Sequence, residues 1–291
     1  MKKILIILFS FTLASCNTST VISLDNNIIV SNSVLFKKVK TDNVFFKKIR
    51  EGLISKSKLI LSSNTKYKNM FANISLENMY RDPDPKIRAM VALNPNATEY
   101  ILGELKRDAD AYVRAMVALN PNVTEYILSD LKRDTDAYVR AMVALNPNAT
   151  EYMLSDLKRD TDAYVRACTA LNPNSTEYIL SDLKRDKDFR VRCYLAINPN
   201  VTEYMLSDLK RDTEPYVRAC TALNTNATEY MLGDLSRDQN EIVRGFTALN
   251  KNTPQNILDS LSRDTSSFVK ECLLTTEDYN YFLSKLKLFQ N

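Results

Sequence analysis

RDTDAYVRAMVALNPNATEYMLSDLK, residues 133–158, recurs through most of this chain at a fixed interval of 26 residues. Other copies open at Arg81, Arg107, Arg159, Arg185, Arg211 and Arg237, and a degraded copy opens at Arg263. A constant period of this size marks a solenoid, in which a unit buries its apolar face only by stacking on its neighbours. Such arrays offer surfaces more often than they perform reactions. The expected fold is therefore all-α, an α-solenoid of two-helix repeats.

With the leading Arg as position 1, positions 2 and 4 are acidic (Asp134 and Asp136 in the quoted copy), which suits the start of a first helix, A. Helix A runs through YVRAMVALN and stops at Asn-Pro, because a residue before proline is pushed out of the α region. Position 7 is always Val or Ile, and with positions 10, 11 and 13 it makes an apolar stripe. Positions 9 and 12, almost always Ala, let adjoining units approach closely. The second Asn of Asn-Pro-Asn and the Thr that follows are expected to cap a second helix, B, with Pro254 as first helical residue in the seventh copy. Helix B buries positions 21, 22 and 25, such as Met153, Leu154 and Leu157. Both helices are too short to stand alone in water, so stacking must hold them.

Composition narrows the chemistry. The chain has no histidine and no CxxC, so zinc, haem and iron–sulfur ligation lack ligands, and no cofactor or metal is expected. Cys168, Cys220 and Cys272 fall at position 10, where other copies carry Met or Phe, and Cys193 replaces an Ala. These read as buried structural thiols, too few and too far apart for a ladder of disulfides. Net charge is +8 over residues 1–80 and −4 over 81–262. A mildly acidic array has the wrong sign for tracking phosphates, so nucleic acid is not an expected partner.

The first sixteen residues read as an address. Lys2 and Lys3 precede the apolar run Ile4 to Leu13, which is too short to span about 30 Å of hydrocarbon, and Leu13-Ala14-Ser15-Cys16 closes it. This ending resembles the lipobox of bacterial lipoproteins. The resemblance implies cleavage before Cys16 and acylation of its sulfur and new amino terminus, which together anchor a protein stably. Asn17, in place of Asp, leans toward the outer membrane. Lys37, Lys38, Lys40, Lys47, Lys48 and Arg50 then lie near the anchor, where they could rest on anionic head groups or form the solvated face of a capping helix. The expected organisation is a signal segment 1–15, the lipidated Cys16 and a tether over 16–40, a helical cap and degenerate repeat over 41–80, seven repeats over 81–262, and a capping repeat over 263–291.

The line DxxxVRAxxAxNPN…LLxxLxxD resembles the leucine-rich repeat variant family, and its DxxxxVR portion also resembles HEAT-type repeats. The seventh copy, NKNTPQNILDSLSRD, carries the resemblance most fully, and the match spans residues 81 to about 275. It implies a right-handed superhelix alternating α-helices with short or 3₁₀ helices. Some members of that family carry an iron–sulfur module; no cysteine cluster here matches it.

Two columns of residues are candidate sites. Arg at position 8 (Arg88, Arg114, Arg140, Arg166, Arg192, Arg218, Arg244) sits among alanines on a packed helix and needs a carboxylate. Asp at position 2 (Asp82, Asp108, Asp134, Asp160, Asp186, Asp212, Asp238) is the expected partner in a ladder joining repeats; an anion-binding groove is the alternative. Tyr at position 20 (Tyr100, Tyr126, Tyr152, Tyr178, Tyr204, Tyr230) lies opposite the buried stripe of helix B. Either it belongs to a binding surface, with Phe189 and Arg190 of the divergent fifth copy, or its ring covers apolar surface between stacked units. No catalytic residue is proposed, since polar groups repeat identically over many units instead of forming one constellation. The expected function is a lipid-anchored envelope scaffold, periplasmic or surface-facing, that binds a protein or envelope component and no small-molecule substrate. A surface protein contacting a host, or an accessory subunit of an envelope enzyme, is the alternative.

Overall fold

The computed structural model describes residues 76–273. The signal segment, Cys16, the tether, most of the expected N-terminal cap and the end of the C-terminal cap lie outside the described residues. The chain divides into two compact units, Met1–Leu183 and Lys184–Asn291. In the first, α1 (Leu76–Met79) precedes A and B helices in alternation: α2 (Pro85–Leu93), α3 (Glu99–Leu105), α4 (Ala111–Leu119), α5 (Glu125–Leu131), α6 (Ala137–Leu145), α7 (Glu151–Leu157), α8 (Ala163–Leu171) and α9 (Glu177–Leu183). In the second they are α10 (Phe189–Ala196), α11 (Glu203–Leu209), α12 (Pro215–Leu223), α13 (Glu229–Leu235), α14 (Glu241–Leu249), α15 (Gln255–Leu261) and α16 (Ser267–Cys272). Among the described residues there is no strand, and the B helices are short α-helices, not 3₁₀. Each unit is an α-solenoid stack.

Local chemistry places the helix ends. Asp110 caps α4 by accepting the Tyr112 N–H at 2.7 Å, and Asp108 in turn accepts the Asp110 N–H at 2.9 Å. The same arrangement recurs at Asp134 and Asp136. Helix α4 ends because Asn120, before Pro121, is extended at φ −62°, ψ 135°. The B helices start on Thr98, Thr150, Thr202 and Thr228, whose hydroxyls accept long bonds of 3.3–3.4 Å, and Thr124 makes none. Such weak caps on helices of seven residues leave burial to hold them.

Burial follows the expected stripes. Val139, Ala141, Met142, Val143 and Ala144 of α6 are wholly enclosed, and Met153, Leu154 and Leu157 of α7 are buried beneath it. The alanines let consecutive A helices pack directly: α2, α4, α6 and α8 in the first unit, α10, α12, α14 and α16 in the second. Each fully buried Leu or Met contributes roughly 1.5–3 kcal/mol relative to exposure. Where the seventh copy carries Gly245 instead of alanine, the Phe268 ring fills the space, 2.4 Å from where a Cβ would stand.

Two expectations need correction. Pro254 is the N-cap of α15, not its first helical residue. The second Asn of Asn-Pro-Asn does not cap helix B. The Asn122, Asn148, Asn174 and Asn226 amides instead donate to carbonyls of the preceding repeat at Pro95, Pro121, Pro147 and Pro199, at 2.6–3.1 Å. Position 15 of the preceding copy leaves a helix end with orphan carbonyls, which satisfies the amide better than a cap one turn away.

Candidate functional site

Three polar columns run along the repeats. In the first, Arg88 forks onto Asp108 of the next repeat, Nε to Oδ2 at 2.6 Å and Nη2 to Oδ1 at 2.9 Å, while Nη1 donates to the Asp82 carbonyl at 2.7 Å. Arg114 on Asp134, Arg140 on Asp160, Arg192 on Asp212, Arg218 on Asp238 and Arg244 on Asp264 repeat this, with Nε–Oδ2 distances of 2.6–2.7 Å. Arg166 donates to the Asp160 carbonyl at 2.8 Å, and Asp186 accepts the Asp188 N–H at 2.9 Å. In the six pairs the planar guanidinium thus grips a carboxylate bidentately and holds its own helix entry at once. Burial by itself pushes the Asp134 carboxyl up. The Arg114 hydrogen bond, the Asp136 N–H and the charges of Arg114 and Arg140 outweigh it and hold the group below the ordinary carboxylate value. Asp108 and Asp238 behave alike. These side chains have little surface left for an outside ligand.

The second column was not legible as a site from the sequence. Asn120, Asn146, Asn172, Asn198, Asn224 and Asn250, the first Asn of the motif in the second to seventh copies, are buried. Asn120 Nδ2 donates to the carbonyls of Ala92 at 2.6 Å and Asn94 at 2.9 Å in the previous repeat, and its Oδ1 accepts the Asn122 N–H at 2.8 Å. Asn146, Asn224 and Asn250 make the same three bonds. A helices end in carbonyls without intrahelical partners, and at α2, α4, α6, α10 and α12 the next repeat supplies the donor. The signal was present: Asn224 and Asn250 persist where the following proline is lost to Thr225 and Lys251.

The third column surrounds the tyrosines. Lys106, Lys132, Lys158, Lys184 and Lys210, the last residues of their repeats, are buried. Each ammonium lies over the tyrosine of the following copy, 3.5–4.4 Å from the ring centroids of Tyr126, Tyr152, Tyr178, Tyr204 and Tyr230. Each also pairs with an aspartate one turn on: Asp130, Asp156, Asp182, Asp208 and Asp234. A buried ammonium needs this double compensation, a carboxylate and a π face. The rings themselves stay 59–70% exposed, so they roof lysines and do not cover apolar surface between units. Where Ser236 replaces the lysine, Asn256 and Ser260 replace its tyrosine and aspartate, so the three side chains come and go together. At the other end Tyr80 takes the lysine's place, edge-on to Tyr100 with centroids 6.2 Å apart.

Helix B therefore presents a recurring exposed pair, Glu99-Tyr100, Glu125-Tyr126, Glu151-Tyr152 and Glu177-Tyr178 in the first unit, Glu203-Tyr204 and Glu229-Tyr230 in the second. Phe189 and Arg190 do not join it. Phe189 is half-buried and stacks on Tyr216 at 6.3 Å, and the Arg190 guanidinium folds back onto Asp188 at 2.5 Å. Among the described residues no group of three or more metal-ligating side chains occurs. The cysteines are buried and free, and burial pushes the Cys272 thiol up to about 12. Cys193 on α10 and Cys220 on α12 stand on consecutive A helices, and the Cys220 thiol together with burial pushes the Cys193 thiol up.

These observations define an all-α repeat protein whose polar side chains mostly join one repeat to the next. No known family model matches the chain, and no curated protein does. Among solved structures it is similar to a leucine-rich repeat variant with a novel repetitive protein structural motif: 26% identical, over 68% of this chain and 78% of that one, with a TM-score of 0.49.

Proposed function

We propose that this protein is a non-catalytic scaffold that binds another protein through the glutamate–tyrosine face of its B helices, held at a membrane of the cell envelope by lipid on Cys16. The observation that carries the binding reading is the exposure of six tyrosines on rigid helices. Tyrosine offers a large amphipathic contact at low conformational cost, and aromatic residues dominate binding energy at protein interfaces. The ammonium beneath five of the six rings fixes them before any partner arrives, so less ordering remains to be done on binding. The Arg and Asn columns lack this character, being spent on contacts between repeats.

A double Tyr126→Ala, Tyr152→Ala variant tests the reading. Each truncation removes a half-exposed cation–π contact of about 0.5–1 kcal/mol, so the thermal midpoint should fall by only about 2–6 °C. Chemical cross-linking in intact cells should meanwhile lose at least about tenfold of its adduct to the partner, the loss of two interface anchors of ~1 kcal/mol or more each. An undiminished adduct sinks the assignment of this face. The lipid anchor is tested separately. Metabolic palmitate labelling of the full chain should vanish in Cys16→Ala, and labelling that persists removes the anchor.

A further inference from the structure

Position 9 is alanine in most copies (Ala89, Ala115, Ala141, Ala167 and Ala219), and position 10 is methionine in three copies (Met90, Met116 and Met142) and cysteine in three (Cys168, Cys220 and Cys272). Cysteine takes position 9 in the fifth copy, and in the very next copy cysteine takes position 10. The fold makes these two positions neighbours. At the same register two copies on, a Cβ built on Gly245 at position 9 stands 3.1 Å from the Cys272 sulfur at position 10 of the following repeat. In a disulfide with S–S near 2.04 Å, the Cβ of one cysteine lies about 3 Å from the sulfur of the other. At Gly245 and Cys272, position 9 and the next repeat's position 10 thus meet at disulfide separation. Cys193 and Cys220 occupy that register on α10 (Phe189–Ala196) and α12 (Pro215–Leu223), and both side chains are buried.

We infer that Cys193 and Cys220 form a built-in cross-linking site, at which a disulfide oxidant ties the A helices of two consecutive repeats together. One thiol of the pair gives up its proton, and its thiolate attacks a small disulfide RS–SR. That forms a mixed disulfide and releases RS⁻. The second thiolate then attacks the cysteine sulfur of the mixed disulfide, the Cys193–Cys220 bond forms, and another RS⁻ leaves. The protein dithiol loses two electrons and two protons, and the oxidant is reduced to two RSH. The neighbouring Cys220 thiol and burial hold the Cys193 thiol protonated in the closed stack. The bond therefore forms while the repeats dock during folding, and afterwards it is shielded from reductant.

Refolding the full chain from urea with oxidised glutathione, then alkylating and digesting it, tests this. The expected products are a Cys193–Cys220 linked peptide pair, alkylated Cys168 and Cys272, and a thermal midpoint about 5 °C or more above that of the reduced protein. Cys193→Ala and Cys220→Met install residues that other copies carry at the same positions and so should fold; each should abolish the link and the gain in midpoint. Alkylation of both Cys193 and Cys220 after oxidative refolding, a link to another cysteine, or a redox-dependent midpoint that survives in Cys193→Ala would each overturn the inference.

Discussion

Asn146→Ala lowers the thermal unfolding midpoint by about 6–12 °C, the equivalent of about 3 kcal/mol for a chain of this size. The estimate follows from what the side chain does. Its amide donates to the Ala118 carbonyl at 2.6 Å and the Asn120 carbonyl at 3.3 Å, and its oxygen accepts the Asn148 N–H at 2.8 Å. The residue is buried, so water cannot easily replace those partners, and each stranded buried group costs about 1–3 kcal/mol. Asn146→Asp is the sharper test. It conserves size and the acceptor toward Asn148, but it aims a carboxylate at two carbonyls where a donor is required. It should therefore destabilise at least as much as alanine at neutral pH. Asn148→Ala, by contrast, removes an exposed amide whose bond to Pro121 at 3.0 Å water can replace, and it should cost about 1 kcal/mol or less. Calorimetry of the three variants decides the point. Equal, small effects would mean that the buried asparagine is not what caps the preceding helix.

That asparagine also shows what the sequence disclosed and what it withheld. Hydrophobic spacing, alanines at fixed positions and Asn-Pro at a fixed interval were enough for the helix pairs and their stacking, because burial and chain stiffness are local properties repeated many times. Caps were harder to assign. Asp110 and Thr98 serve their own helices as expected, but Asn120 and Asn122 serve the helix end of another repeat, and no propensity distinguishes an amide that bonds within its turn from one that bonds across. The tyrosines were visible as a column, but the lysines beneath them were not. A terminal Lys before Arg reads as solvated charge, and Lys132 is buried only because Tyr152 and Asp156 arrive from the next repeat. The coordinated loss at Ser236, Asn256 and Ser260 was the available clue. Phe189 and Arg190 misled for the opposite reason. Departure from a consensus marks a changed environment, and here that environment is a stack on Tyr216 and an ion pair with Asp188.

Arg114→Ala is expected to lower the unfolding free energy by about 3–4 kcal/mol, the usual cost of stripping one partner from a largely buried ion pair. Arg114 Nε and Nη2 reach Asp134 at 2.7 and 2.9 Å, Nη1 reaches the Asp108 carbonyl at 2.7 Å, and the two side chains are only 14% and 9% exposed. Without the guanidinium, Asp134 keeps the Asp136 N–H at 2.9 Å but remains a shielded carboxylate, and the Asp108 carbonyl loses a donor. Arg114→Lys should fall between, since one ammonium cannot fork onto both oxygens. The pH dependence separates the electrostatic part. The folded Asp134 carboxyl titrates below its ordinary value, so its stabilisation is fully present above the unfolded value of 3.8 and is lost as pH falls through the lower folded value. The wild-type midpoint should thus hold steady from neutrality to about pH 5 and drop below about pH 4, where the carboxylates of this column protonate. In Arg114→Ala the guanidinium no longer depresses Asp134, so this share of the acid sensitivity should shrink. The variant and wild-type curves, measured by circular dichroism, should converge as pH falls. Curves that stay parallel down to pH 2.5 would mean that Arg114 acts through packing alone. An unchanged midpoint joined to weaker partner binding would reassign the column from holding repeats together to recognition, because a side chain already committed to the fold cannot be removed without loosening it.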